Sequence, residues 1–291
     1  MSYSRAILGD NQFLGVNHSD QLKAAKSFER FRNPDSVLEI IAVAYGAGVR
    51  DFMFTTHDRY DLVFEEIRRS NLFPGMQYTP CIPYAHKYWS RLSTQSMPRM
   101  LTSTAMQINP FRAISGGIAL LAGRPAGLVR VLVEIEALMC KGLPVRGVFL
   151  QNAAFDMLMA VEAYRELEAF ADIVTRRFAA LPGFITMNHP RAVSVLCDKI
   201  GLELPWICAN FNVAGFRTNP SKAEVEASFA TRRSHNIAMS VFASGNSNGQ
   251  SSLNYVISKV GDVGGVDAIL FGSSSARHIK SNTRAILSGA E

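Results

Sequence analysis

At 291 residues and 48% hydrophobic, the chain carries apolar material for one large core or two modest ones, and its 19% of charged residues excludes a disordered chain. The net charge of +6 is dispersed, with short clusters only at Ile67–Arg69 and two Thr-Arg-Arg runs, which points away from a nucleic-acid partner and suits an anionic small ligand. Four scattered cysteines (Cys81, Cys140, Cys197, Cys208) without a C-x-x-C pair suggest neither a zinc site nor a disulfide framework.

The elements alternate along the chain. "RAILGDNQFLGV" reads as a strand with a loop, and "DSVLEIIAVAYGAG" as a helix. "RDFMFTTHDR" is a strand and "YDLVFEEIRRSN" a helix. "GMQYTPCIPYAHKYW" carries a strand into a long loop, and Arg91 to Gly142 holds one or two helices. "VRGVFLQNAAF" is a strand and "LEAFADIVTRRFAAL" a helix; "GFITMNHP" and "RAVSVLCDKIG" repeat the pattern. So do "LPWICANFNVAGF" with "SKAEVEASFATRRSH", and "NIAMSVFASGN" with "QSSLNYVISKVG". "VDAILFGSSS" and "ARHIKSNTRAIL" close the chain.

Alternation of this kind means parallel strands with crossover helices, and eight units in about 250 residues or a little more predict an α/β fold, the (β/α)₈ TIM barrel. A doubly wound sheet is the alternative, but the first strand lacks a G-x-G-x-x-G loop. Residues 1–291 read as one barrel domain, with residues 84–113 (Tyr84 to Ala113) as an insertion or lid. The N-terminus lacks an apolar signal core, and the most apolar run, Gly116 to Cys140, is broken by Arg124, Pro125 and Arg130. A cytoplasmic protein with no membrane partner is expected. The apolar excess between Ile118 and Met139 would also suit a homodimer contact.

A barrel of this kind builds its site at the C-terminal ends of the strands. The expected donors and acceptors there are Asp10, Asn11 and Gln12; His57 and Asp58; His86 and Lys87; Gln151 and Asn152; Asn188 and His189; Asn210 and Asn212. Polar groups are costly to bury without partners, so such weight at every strand end favours a ligand pocket over ordinary loops. The turns after strands 7 and 8 are small and run straight into helices. Ser244, Gly245, Asn246, Gly272, Ser273, Ser274, Ser275 and Arg277 would place backbone N–H groups, hydroxyls and a guanidinium around a phosphate. The alternative is plain helix capping by serine.

"FGSSSARHIKSN" resembles the strand 8 turn of the aldo-keto reductases, in which Gly-x-Ser-Ser is followed by a helix with Asn ten residues after the glycine; Gly272 and Asn282 have that spacing. "ITMNHPRAVSVLC…WICANFNV" is similar to that family's strand 5 to strand 6 passage, and "IAMSVFASGNSNG" to its strand 7. The resemblance implies a barrel whose strand 8 turn grips NADPH phosphates through Ser273, Ser274, Arg277 and Asn282, with Phe242 as a surface for the nicotinamide. The family's catalytic tetrad is not preserved. Phe54 stands for its Asp, Arg59 for its Tyr (with Tyr60 one residue late), Pro80 or Cys81 for its Lys, and Gln151 for its His. "LGDNQFLGVNH", "TTHD" and "PYAHKY" look like a barrel subfamily of biosynthetic enzymes.

Two functions follow. The first is acid–base chemistry on an anionic, phosphorylated metabolite, of isomerase, epimerase or lyase type, needing no cofactor. Asp10, His57, Asp58, His86 and His189 would move protons and Lys87 would serve as an amine or anion clamp. The second is an NADP-dependent reductase with a rearranged acid–base group. A metal-dependent hydrolase on Asp10, His57, Asp58 and His189 is weaker, because no H-x-H or clustered ligand pattern supports a metal.

Overall fold

The computed structural model describes residues 2–16, 21–83, 129, 133–245 and 249–289. Eight strands form one closed barrel: β1 (Ala6–Leu8), β2 (Asp51–Thr55), β3 (Gln77–Ile82), β4 (Gly147–Leu150), β5 (Leu181–Thr186), β6 (Trp206–Asn210), β7 (His235–Met239) and β8 (Ala268–Phe271). Every neighbouring pair is parallel, and β8 returns to β1 with Leu8 opposite Phe271. The (β/α)₈ architecture expected from the alternation is the architecture present.

The helices are α1 (Gln21–Arg30), α2 (Pro34–Gly46), α3 (Tyr60–Arg69), α4 (Asn152–Ala160), α5 (Tyr164–Phe178), α6 (His189–Val193), α7 (Lys222–Ala230), α8 (Gly249–Ile257) and α9 (Ala276–Ser288). Residues 133–137 are also helical and run into a tight turn at Leu138–Cys140. The supposed insertion, residues 84–113, and most of the apolar run to Met139 lie outside the described residues.

Local chemistry explains where the elements start. Asn33 accepts a hydrogen bond from the Asp35 amide and Pro34 opens α2; Ser221 and Ser275 cap α7 and α9 in the same way. Three boundaries differ from the sequence reading. β1 ends at Leu8, so Asp10–Gln12 form a turn, and a helix not anticipated, α1, follows it. Its sequence, QLKAAKSFER, has few large apolar residues and so carries little periodic signal. β4 stops at Leu150, and Asn152–Phe155, read as strand, begin α4. The helix after β5 is five residues long and continues as a π-helical turn, Ser194–Lys199.

Alternation along each strand sorts side chains into two cores. Phe52, Phe54, Tyr78, Phe184 and Ile269 point outward and are sealed by the helices. Ile7, Met53, Cys81, Phe149, Trp206, Cys208, Ile237 and Ala268 fill the barrel itself. Two glycines make room inside it: a Cβ on Gly183 would sit 2.2 Å from the Phe149 ring, and one on Gly147 would sit 2.3 Å from the Tyr3 hydroxyl. Tyr3 closes the N-terminal end. Its ring packs edge-on against Trp206 (4.8 Å) and its hydroxyl lies 3.0 Å from Thr79 Oγ1. Beside it, buried Asp51 accepts from the Ser4 amide at 2.9 Å and pairs with Arg146 Nε. No helix among the described residues is long and apolar enough to cross a membrane.

Candidate active site

Strand alternation decides which end residues face the barrel mouth. Met53, Cys81, Phe149 and Cys208 are interior, so Thr55, Gln151 and Asn210, each two residues further on, share that face with Cys81. Asp10 joins them from the β1–α1 turn. Its Oδ2 accepts hydrogen bonds from the Thr55 amide (2.7 Å) and the Tyr60 hydroxyl (3.1 Å). Burial raises the Asp10 pKa to about 6, and those hydrogen bonds oppose the rise. Tyr60 is fully buried, and burial together with the Asp10 charge holds its hydroxyl well above the usual range. Burial and the same carboxylate push the Cys81 thiol up.

Two glutamines brace this end. Gln151 Nε2 donates to Thr55 Oγ1 (3.3 Å) and to the Cys81 carbonyl (3.2 Å), which ties β2, β3 and β4 together. Gln12 Nε2 donates to the Gly9 carbonyl at 2.7 Å, and a Cβ on Gly272 would lie 2.1 Å from Gln12 Oε1. Gly272 therefore makes room for a side chain of this protein, where the sequence suggested room for a phosphate. Asn11 and Asp58 are exposed, and half-buried His57 accepts the Arg59 amide at Nδ1 (3.0 Å). His86, Lys87 and Asn246 lie outside the described residues.

His189 is a correction. It begins α6, but its ring is fully buried behind the barrel wall, tilted against Phe229 with centroids 4.2 Å apart. Nδ1 meets Ser228 Oγ at 2.9 Å and Nε2 meets Asn236 Oδ1 at 2.8 Å, so both nitrogens are spent on the fold. Burial lowers its pKa to about 4, which keeps it neutral. The convergence of His189 with Asp10, His57 and Asp58 on one ion is not what the geometry gives, and no group of three or more potential metal ligands occurs among the described residues.

The asparagines divide by task. Asn188 caps α6 by accepting the Arg191 amide at 3.1 Å. Asn212 clasps its own loop, accepting the Phe216 amide and donating to the Phe216 carbonyl. Asn210 donates to the Arg217 carbonyl at 2.9 Å, while its buried Oδ1 has no partner among the described residues. Asn152 is the half-buried first residue of α4.

At the strand 8 turn, Ser275 Oγ accepts the His278 amide (3.4 Å) and Ser273 Oγ accepts the Ser275 amide (3.1 Å). These hydroxyls cap the helix. Arg277 is exposed. A cation not foreseen from the sequence, Arg30 of α1, donates to the Ser274 carbonyl at 2.6 Å. Only the unanticipated helix brings it there. At the strand 7 turn, Ser240, Ala243 and Ser244 all hold left-handed backbone (φ 55, 47 and 58), a strained run without glycine that leads into Gly245. Phe242, beyond β7, is half-buried against the outer core.

Two hollows, of about 550 and 430 Å³, lie elsewhere: one between α2 and α3, the other outside β3 and β4 near Arg177. Both are on the outside of the barrel. The mouth is the candidate site because it gathers the buried polar groups at the strand C-termini, where this fold commonly carries its site.

No family model matches the sequence, and no curated protein matches it. Solved structures do. One, described as "Putative aldo-keto reductase from Pseudomona aeruginosa", aligns with 10% identity and a TM-score of 0.63, covering 100% of this chain and 92% of its own. A second, of PA4992, "the putative aldo-keto reductase" of the same organism, aligns with 11% identity and a TM-score of 0.61 over the same shares. The apo form of Gox0644 aligns with 10% identity and a TM-score of 0.50, over 89% of this chain and 86% of its own. The fold is thus an aldo-keto reductase-like (β/α)₈ barrel. At the tetrad positions inferred from the resemblance, Phe54 points into the outer core, Cys81 and Gln151 face inward, and Tyr60 is turned to Asp10.

Proposed function

We propose that the chain is an enzyme that moves a proton on an anionic small molecule, an isomerase, epimerase or lyase, with Asp10 as the group that carries the proton. One observation supports this above the others: Asp10 is a buried carboxyl at the barrel mouth whose pKa is raised to about 6. A group with that value is mostly ionised at neutral pH, accepts a proton from a carbon next to a carbonyl, and returns it readily. Tyr60 stays protonated and steadies the carboxylate through its hydrogen bond. Gln151 and Asn210 present amide groups to the substrate, and the buried, unfilled Oδ1 of Asn210 suits a hydroxyl donor. The anionic end would rest at the start of α9, near Arg30 and Arg277, where helix amides favour negative charge.

A second reading, an NADP-dependent oxidoreductase, draws on the likeness in fold to structures described as aldo-keto reductases. Against it, no lysine stands at the inner β3 position and no histidine at the β4 end, and the Tyr60 hydroxyl donates its hydrogen bond to Asp10. The two readings part in one experiment. The protein is incubated in D₂O with a panel of phosphorylated aldoses, ketoses and 2-keto acids, and deuterium uptake is followed by NMR; NADPH fluorescence is titrated in parallel. Uptake that Asp10→Asn abolishes, without a saturable NADPH response, is the expected result. Saturable NADPH binding with no deuterium uptake would overturn the proposal in favour of the second reading.

A further inference from the structure

We infer that Gln151 and Asn210 read the substrate through its hydroxyl groups, so that the substrate is a polyhydroxylated anion of the sugar-phosphate class. This rests on the reading above for the place of the site and for the anionic end, and adds what lies on the floor of the mouth.

Register fixes the composition of that floor. In an eight-stranded parallel barrel the residues at one height come from alternate strands, because the pairing advances by about one residue per strand. Thr55 lies opposite Cys81, Cys81 opposite Phe149, Phe149 opposite Gly183 and Gly183 opposite Trp206. Trp206 lies opposite His235, and Ile237 opposite Ala268. Carried round the barrel, the advance sets Thr55, Gln151, Asn210 and Gly272 at one height. They stand two residues beyond Met53, Phe149, Cys208 and Leu270, which belong to the packed interior. Gly272 brings no side chain, and Gln12 Oε1 occupies the space a Cβ would need there.

The donors of this layer are committed to the protein. Gln151 Nε2 gives its hydrogens to Thr55 Oγ1 (3.3 Å) and to the Cys81 carbonyl (3.2 Å). Asn210 Nδ2 gives its own to the Arg217 carbonyl (2.9 Å) and to the Met187 sulfur. Gln12 Nε2 donates to the Gly9 carbonyl (2.7 Å), and the Thr55 hydroxyl bonds to Asp10. A main-chain carbonyl accepts only from the nitrogen end of an amide, so these partners fix each amide one way round. What Gln151 and Asn210 have left to offer is an acceptor. Asn210 is 2% exposed and its Oδ1 has no partner among the described residues, a costly state that a bound donor relieves.

Neutral acceptors select the polarity of what lies on them. A carbonyl or carboxylate set on this layer would meet oxygen with oxygen. A hydroxyl brings one donor to one acceptor. An ammonium brings three donors and a charge, and neither amide oxygen balances that charge. Gln151 and Asn210 are separated by β5, so they call for hydroxyls on different carbons. A polyol chain then lies across the floor with its phosphate at the start of α9.

Isothermal titration calorimetry tests this on the wild-type protein and on Asp10→Asn, where binding is read without proton transfer. The ligands are ribose 5-phosphate, glucose 6-phosphate and fructose 6-phosphate, set against n-pentyl, n-hexyl and 3-aminopropyl phosphate. At least one sugar phosphate should bind about tenfold more tightly than the alkyl phosphate of equal length, since a site built for hydroxyls rejects the analogue that lacks them. Asn210→Leu should erase that advantage and Gln151→Met reduce it, with alkyl phosphate affinity unchanged; circular dichroism checks the fold of each variant, and the wild-type comparison needs no variant at all. Sugar phosphates that bind no more tightly than alkyl phosphates overturn the proposal. So does an aminopropyl phosphate that binds more tightly than any of them, or an advantage that survives both substitutions. Hydroxyl-dependent binding without deuterium uptake counts against the proton-transfer reading alone. Uptake by a hydroxyl-free 2-keto acid in preference to every sugar phosphate, abolished by Asp10→Asn, supports that reading and overturns this one.

Discussion

Replacing Asp10 with Asn gives a quantitative test of the charge state at the barrel mouth. The amide keeps a carbonyl oxygen for the Thr55 amide and the Tyr60 hydroxyl, and removes only the ionisable proton. In the folded protein the carboxyl titrates at about 6, while the unfolded chain ionises near the ordinary 3.8. Between those values the folded state holds a proton that the unfolded state has released. Stability from this group is therefore full below pH 4 and is lost as pH rises through 6. At 1.36 kcal/mol per pH unit the loss is about 3 kcal/mol, complete above pH 6. The variant escapes it. Urea unfolding at pH 4.5, 6 and 8 should show Asp10→Asn gaining on the parent with pH, by about 2 kcal/mol between pH 4.5 and pH 8. A constant packing offset cancels in that comparison. A difference that does not change with pH, or one that favours the parent as pH rises, would refute the argument and with it the assignment of Asp10 as a near-neutral acid.

Tyr60→Phe removes one hydrogen bond to the carboxylate, worth about 1.5 kcal/mol for a charged acceptor, so the Asp10 pKa should rise by about one pH unit in a ¹³C NMR titration. His189 titrates in the opposite sense. Its pKa falls from the ordinary 6.5 to about 4, so its stability is present above pH 6.5 and is lost as pH falls to 4. In the parent it offsets Asp10 across that window; in Asp10→Asn the acid destabilisation should become visibly steeper in the same urea series. His189→Ala should cost about 2–4 kcal/mol by opening a cavity and removing the hydrogen bonds to Ser228 and Asn236, yet leave substrate turnover by the folded fraction intact. Gly272→Ala drives a methyl to within 2.1 Å of Gln12 Oε1 and should lower stability by about 1–3 kcal/mol, read as a drop in melting temperature; an unchanged value would mean that Gln12 moves freely.

The barrel was legible because parallel strands separated by amphipathic helices leave a periodic trace, and every strand core expected from β-branched and aromatic runs is present. What the trace lacks is side. Phe54 and Thr55 are adjacent, yet one is packed beneath α3 and the other faces the mouth; a one-residue difference in register, invisible in composition, separates them. His189 was misplaced for the same reason. It follows a strand end in sequence but turns back toward the helix layer, where Asn236 and Ser228 hold it. Asp10 was singled out for its place after β1, but its tie to Tyr60 joins residues 50 positions apart and carries no local signature. Arg30 escaped notice because its helix has too few large apolar residues to announce itself.

The tyrosine at the N-terminal end has a kinetic consequence. With Tyr3 wedged between Trp206, Thr79 and Gly147 beneath the packed interior, the barrel is closed at its N-terminal end. Whatever enters at the strand C-termini must leave by the route it came. For the proposed reaction, arrival and departure would then exclude each other in time, and traffic at the rim, as well as the proton transfer, would set the pace.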